Sequence, residues 1–210
     1  MKTLYSWNTP NGRKISIALE EMGLAYDCKA VDITKGEQMA PDFLAMNPNN
    51  KIPVLADADG TIVNETNAIL LYLGRQTGQF MPPEDSSAYW KMMEWLMWQA
   101  SGFGPMLGQA HHFLHYNSGK SEYAEARYHK EAVRLYNVLD RYLTGRDFML
   151  DEISILEFAI WPWVSRYEYQ RIDLADFPAV RDWYVRCAAR PAFVRGYAQP
   201  NDVGPIPMPG

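Results

Sequence analysis

The chain opens on an apolar run, with Leu4, Tyr5 and Trp7 inside the stretch Lys2 to Trp7, and this predicts a strand. Ile15, Ala18, Leu19 and Met22 then fall at helical spacing and predict a helix over Gly12 to Gly23. Between the two lies Thr9-Pro10-Asn11-Gly12, a tight turn leading into a helix start. Tyr26 to Val31 predicts a second strand, followed by a polar connection with Gly36, Pro41 and Asn47 as breakers. Pro53 to Ala56 and Thr61 to Val63 read as two short strands joined by Asp57-Ala58-Asp59-Gly60, whose Asp-Gly ending is a hairpin signal. Asn64 or Glu65 opens a helix with Ile69, Leu70, Tyr72 and Leu73 at the helical period. The sum is a small mixed sheet with helices on it.

After Gly78 the pattern changes. Pro82-Pro83-Glu84-Asp85 reads as a linker, and nothing beyond it reads as strand. Tyr89 to Gln99 is apolar nearly all round, which predicts a buried helix. Ala132, Leu135, Tyr136, Leu139 and Leu143 share one face of a further helix. Ser154-x-x-Glu157 before an apolar run is a capping box, and Pro162 is expected to kink or interrupt the helix it starts. Asp176 is placed to cap a last helix with Pro178 early in it. The expected organisation is an α/β domain over residues 1–79, an all-helical domain over 86–200 and an extended tail over 201–210.

Composition narrows the function. A net charge of -5 with no Lys/Arg block argues against nucleic acid or anionic lipid as partner. No apolar run approaches a bilayer span, and the N-terminus turns polar too soon for a signal peptide, so a cytoplasmic protein is expected. Cys28 and Cys187 have neither metal-ligand nor C-x-x-C spacing and read as small buried hydrophobes. His111 and His115 share helical spacing without a companion carboxylate or cysteine, so packing is favoured over metal binding.

Six segments stand out together: Thr9 to Ile15, Asn47 to Pro53, Glu65 to Leu73, Gly104 to Gln109, His111 to Phe113 and Ile160 to Val164. In this order they resemble the cytosolic glutathione transferases, and within them the nu class of bacterial glutathione-dependent disulfide-bond oxidoreductases. The resemblance implies a thioredoxin-like N-terminal domain, an all-α C-terminal domain, a homodimer, and glutathione as co-substrate in a cleft between domains. It places Thr9 and Asn11 near the glutathione sulfur, as the catalytic pair. It gives Gln38, Lys51, Ile52, Pro53, Glu65 and Thr66 to the peptide, with Ile52-Pro53 cis, and Arg127 to a glutathione carboxylate. An acceptor pocket would involve Trp7, Phe103 and His111. Two positions depart from the family pattern. Thr66 stands where Ser is usual and keeps the hydroxyl. Glu157 stands where the capping box usually has Asp, and its extra methylene is expected to loosen the cap.

The residues suit the chemistry. A glutathione thiol must ionise to react. Lowering its pKa by about two units takes roughly 2.7 kcal/mol, within reach of a helix N-terminus plus one or two donors. Asn11 offers an amide N–H and Thr9 a hydroxyl, and neither is a base at neutral pH. The same residues read equally as ordinary capping, Thr9 at N-cap and Pro10 at N1. Likewise Glu65-Thr66 reads as a plain helix start, and Gln38 and Arg127 as solvated surface. Three functions stay open: disulfide reduction by a bound glutathione thiolate, conjugation of that thiolate to an electrophile (with peroxide reduction as a variant), and a binding protein without turnover.

Overall fold

The computed structural model describes residues 1–210, which form two compact units. The first holds Met1–Gln79 and Ala188–Ile206, the second Phe80–Cys187 and Pro207–Gly210. The expected grouping of 86–200 as one helical domain is thereby corrected at its end: the last helix belongs to the first unit.

The first unit is a four-stranded sheet in the order β2-β1-β3-β4. Its strands are β1 (Lys2–Ser6), β2 (Tyr26–Ala30), β3 (Val54–Ala56) and β4 (Ile62–Val63). β1 pairs parallel with β2 (Lys2 with Tyr26) and antiparallel with β3 (Tyr5 with Val54), and β3 pairs antiparallel with β4 (Leu55 with Val63). A parallel pair needs a crossover, and α1 (Pro10–Glu21) supplies it. α1 starts where it does because the Thr9 side chain accepts from Gly12 N at 3.1 Å and Pro10 occupies N1. Gly12 is required there by space: a Cβ would collide with Trp7 O and Ser6 Oγ. Leu4, Ile15, Ile17, Ala18, Leu19, Leu55 and Ile69 are fully buried and form the core.

The segment read as a polar connection contains a short helix, α2 (Pro41–Met46). Pro41 begins it at N1 instead of breaking the chain. Phe43 anchors it against Val31 and Val54. α3 (Thr66–Thr77) follows the hairpin. Its far end is tied back by Asp57, which accepts from Lys2 Nζ (2.6 Å), Tyr72 Oη (2.7 Å) and Gln76 Nε2 (3.1 Å). These donors hold the Asp57 carboxyl well below the usual carboxylate range.

The last helix, α9 (Pro191–Tyr197), lies on α1. Gly196 permits the approach, since a Cβ there would sit 2.6 Å from Ile17 Cα. Ser16 Oγ donates to Gly196 O at 2.7 Å, and the Arg13 guanidinium stacks 3.4 Å from the Tyr197 ring centroid. Glu20 pairs with Arg195 and Glu21 with Arg190, both at 2.6 Å. Sequence pattern marks no helix after the one begun at Pro178, and the contact of α9 with α1 is hidden from it because a backbone approach through glycine leaves no apolar signature.

The second unit is helical: α4 (Ser87–Trp98), α5 (Gly104–Ala110), α6 (Glu122–Leu143), α7 (Ile155–Val164) and α8 (Pro178–Ala188), with the last residue of α8 counted in the first unit. Two π-helical turns, Gln99–Phe103 and His111–Tyr116, extend α4 and α5. α4 buries one face only (Met92, Trp95, Leu96); Trp90 and Met97 are exposed, which corrects the reading of an all-round buried helix. α7 runs through Pro162 and ends two residues later, at Val164. Its capping box is intact, and Glu157 does not loosen it. The longer side chain accepts from Ser154 N (2.8 Å) and Ser154 Oγ (3.0 Å), and also reaches Met149 N (2.6 Å) and Trp183 Nε1 (3.3 Å). α8 is capped by Asp140 from α6, which accepts from Ala179 N and Val180 N, and not by Asp176. No helix is long and apolar enough to cross a membrane.

Candidate functional site

Strand direction gathers most of the sequence-predicted residues at one edge of the first unit. The chain leaves β1 at Ser6 and reaches Thr9 and Asn11. β2 runs parallel to β1, so the turn after it, Glu37–Met39 with Gln38 in its middle, leaves from the same edge. β3 runs antiparallel to β1, so Ile52-Pro53 enters at that edge, and the peptide bond between them is cis as expected. β4 runs antiparallel to β3, so its exit into Glu65 and Thr66 lies there too. One side-chain contact closes the set: Lys14 Nζ donates to Thr66 Oγ1 at 3.0 Å, joining α1 to the start of α3.

The two helix starts at this edge are built differently. Thr9 Oγ1 accepts from Gly12 N, which leaves the hydroxyl hydrogen to donate elsewhere. Asn11, one residue into α1 and half-buried, stands in the first turn with no hydrogen bond to its side-chain amide. At α3 the N-cap is Glu65, held at φ 66°, and no side chain caps the first N–H groups. That positive φ is uncommon for a residue with a Cβ. Behind this helix start sits Lys14, only 2% exposed. Burial pulls its pKa down to about 7, opposed by the Glu65 charge. The result is a helix N-terminus, a hydroxyl and a buried amine converging on one point, a combination whose chemistry suits a carboxylate.

The remaining residues vary. Lys51 is exposed, while the loop around it is fixed by Asn47, which donates to Lys51 O at 2.7 Å. Gln38 Oε1 is buried with no hydrogen-bond partner. Arg127 belongs to the second unit, exposed along a groove of about 670 Å³ with Tyr123, Lys130 and Arg134. Trp7 is half-buried at the start of the turn. Phe103 and His111, expected in an acceptor pocket, are core residues of the second unit. Phe103 is fully buried and stacks on Trp98, with centroids 4.8 Å apart. His111 lies 2.9 Å from Gln170 Nε2 and packs against Trp163 and Tyr169. Burial first, then Arg166 and His115, push its pKa down to about 3, so it stays neutral near pH 7.

Neither cysteine is poised to react. Cys187 is fully buried. Cys28 is half-buried, which corrects its reading as a buried hydrophobe, and burial together with Asp27 pushes its thiol up to about 12. The residue that sequence reasoning passed over is Lys14. It lies inside the Thr9 to Ile15 segment, four residues before Ala18 on the core-facing side of α1. A charge at a core position is the signal that could have found it.

The chain is similar to known proteins over nearly its whole length. Residues 9–76 match the glutathione S-transferase N-terminal domain. Disulfide-bond oxidoreductase YfcG of Escherichia coli K12 is 46% identical over 199 residues, covering 91% of this chain and 92% of that protein. A glutathione transferase from Pseudomonas putida, with one glutathione disulfide bound per subunit, superposes with a TM-score of 0.88 at 38% identity, covering 95% and 92% of the two chains. Another from Burkholderia graminis, with two glutathione molecules bound per subunit, gives 0.87 at 38% identity, covering 95% and 88%. With a thioredoxin-like sheet, a helical second unit and these relatives, the chain belongs to the glutathione S-transferase family.

Proposed function

We propose that the protein is a glutathione-dependent disulfide-bond reductase whose reagent is a bound glutathione thiolate. The observation that carries the reading is the carboxylate-receiving start of α3 (uncapped N–H groups, Thr66 and buried Lys14) at the same sheet edge as the cysteine-free turn Thr9 to Gly12. The γ-glutamyl carboxylate seats at Thr66, the peptide runs beside Ile52-Pro53 with Gln38 and Lys51 alongside, and its sulfur reaches Thr9 and Asn11. Glu65 faces the ammonium. The Thr9 hydroxyl and Asn11 amide donate to the sulfur and stabilise its anion.

The thiolate attacks one sulfur of a small disulfide, forms a mixed disulfide with glutathione and expels the other sulfur as a thiolate. A second glutathione thiolate attacks the glutathione sulfur of that mixed disulfide and releases the remaining substrate thiolate. Two glutathiones become one glutathione disulfide, and the substrate gains the two electrons. No protein cysteine takes part, in keeping with the raised pKa of Cys28 and the burial of Cys187. A glutathione-rich, reducing compartment such as the cytoplasm suits this chemistry. A second copy of the chain is the proposed partner, with Trp90 and Met97 as exposed apolar anchors on α4. The names of the relatives favour disulfide reduction over conjugation by the same thiolate. Parallel assays with a small disulfide and an aryl halide test the choice: faster turnover of the disulfide is expected, and turnover of the halide alone would reject the reading.

A further inference from the structure

Lysine is rarely enclosed, because burying an ammonium without compensation is costly. Lys14 is 2% exposed, yet its nitrogen sits 3.0 Å from a hydroxyl at the mouth of a helix that no side chain caps. An ammonium has donors only, so in this contact Thr66 Oγ1 must accept. The Thr66 hydrogen is then committed away from Lys14, toward whatever occupies the start of α3. Hydroxyl direction is the specific product of the buried amine.

We propose that Lys14 is a positioning residue for the γ-glutamyl carboxylate of glutathione, fixing the Thr66 hydroxyl as a donor to that carboxylate and supplying the enclosed positive charge that it neutralises. This rests on the glutathione reading above. Lys14 does not touch the reacting sulfur; it acts through Thr66 on where the peptide is held. The charged group facing it is Glu65, from α3. Other charges on α1 and its neighbours are engaged elsewhere: Glu20 with Arg195, Glu21 with Arg190, Arg13 with Tyr197, and Lys2 with Asp57.

Because its pKa lies near 7 even with Glu65 facing it, Lys14 is largely neutral at pH 8 until a ligand carboxylate binds. A carboxylate seated on Thr66 favours the ammonium, so binding draws a proton from the buffer onto Lys14 Nζ. The consequence is ligand affinity coupled to proton uptake on the alkaline side of neutrality.

Calorimetry separates the possibilities. The probes are S-methylglutathione, whose sulfur cannot ionise, and the same peptide lacking the γ-glutamyl carboxylate. In wild type at pH 8, titrations in buffers of different ionisation enthalpy should show proton uptake with the first probe. Lys14→Met should abolish that uptake and weaken the first probe about 30-fold while changing the second less than about twofold. Thr66→Val should weaken the same probe selectively, which keeps the idea testable should Lys14→Met fold poorly. Equal loss for both probes, or uptake unchanged in Lys14→Met, would overturn the role of Lys14. Failure of wild type to bind S-methylglutathione at all would instead reject the glutathione reading on which it rests.

Discussion

At the start of α7 the chain supplies its own caps: Phe80 O accepts from Ile155 N, Ser154 Oγ accepts from Leu156 N, and Glu157 accepts from Ser154 N and Ser154 Oγ and then from Met149 N and Trp183 Nε1. At the start of α3 no side chain caps the helix, and the buried group behind it is an amine. Both are helix N-termini with the same demand for negative charge, the α7 start buried and the α3 start partly open at Glu65 and Ala68. One is satisfied by sequence and serves folding. The other, under the proposed function, takes its carboxylate from glutathione. What separates the two starts is that α7 has side-chain caps of its own, whereas α3 has a buried amine behind it and no side-chain cap.

The contrast breaks most visibly at Glu157. Glu157→Ala leaves four donors unmatched in the core of the second unit and should cost about 4 kcal/mol of stability, read as a lower urea midpoint. Lys14→Met should do the reverse of this to the two properties: glutathione binding falls while stability at pH 6 is kept or raised, because an apolar side chain of similar length replaces a buried charge. Equal destabilisation by both changes would erase the distinction between the two helix starts.

Next in size is Asn11→Ala, expected to lower kcat/KM for a small disulfide about 30-fold, or about 2 kcal/mol of transition-state stabilisation. Its stability should move by less than about 0.5 kcal/mol, since Asn11 is not the cap. The pH dependence of folding sharpens the α3 side. The pKa of Lys14 falls from 10.5 unfolded to about 7 folded, so the unfolded chain binds more protons across that window. Stability contributed at this site therefore rises with pH between those limits, by up to about 1.4 kcal/mol per pH unit, and is flat below the lower one. The difference between wild type and Lys14→Met, followed by denaturation from pH 6 to 10, should narrow accordingly. Thr9→Ala removes the α1 cap and should cost about 1 kcal/mol, with Thr9→Ser restoring both stability and turnover.

Much of the site was legible in the chain because it sits on elements with strong local signals. Thr9-Pro10 announces a helix start, Asp59-Gly60 a hairpin, and Ser154-x-x-Glu157 a capping box, each through chemistry confined to a few residues. What the sequence hid depends on tertiary placement. Asp140 caps α8 from thirty-nine residues upstream of Ala179, so the nearer Asp176 was the natural but mistaken choice. α9 joins the first unit through the bare backbone at Gly196, and Pro41 starts a helix where it looked like a breaker. Phe103 and His111 carry aromatic and polar groups suited to a pocket, yet their partners Trp98, Trp163 and Gln170 enclose them. Lys14 was visible as a letter, but only its burial beside Thr66 gives it meaning.

The smallest expected effect bears on the central claim, that the reacting sulfur belongs to a bound peptide and not to the chain. The measurement is glutathione-supported reduction of a small disulfide by the double variant Cys28→Ala/Cys187→Ala, with circular dichroism to confirm folding. Turnover within about twofold of wild type is predicted, in line with a Cys28 thiol held largely protonated and a Cys187 sealed from solvent. A folded double variant with no turnover would contradict it.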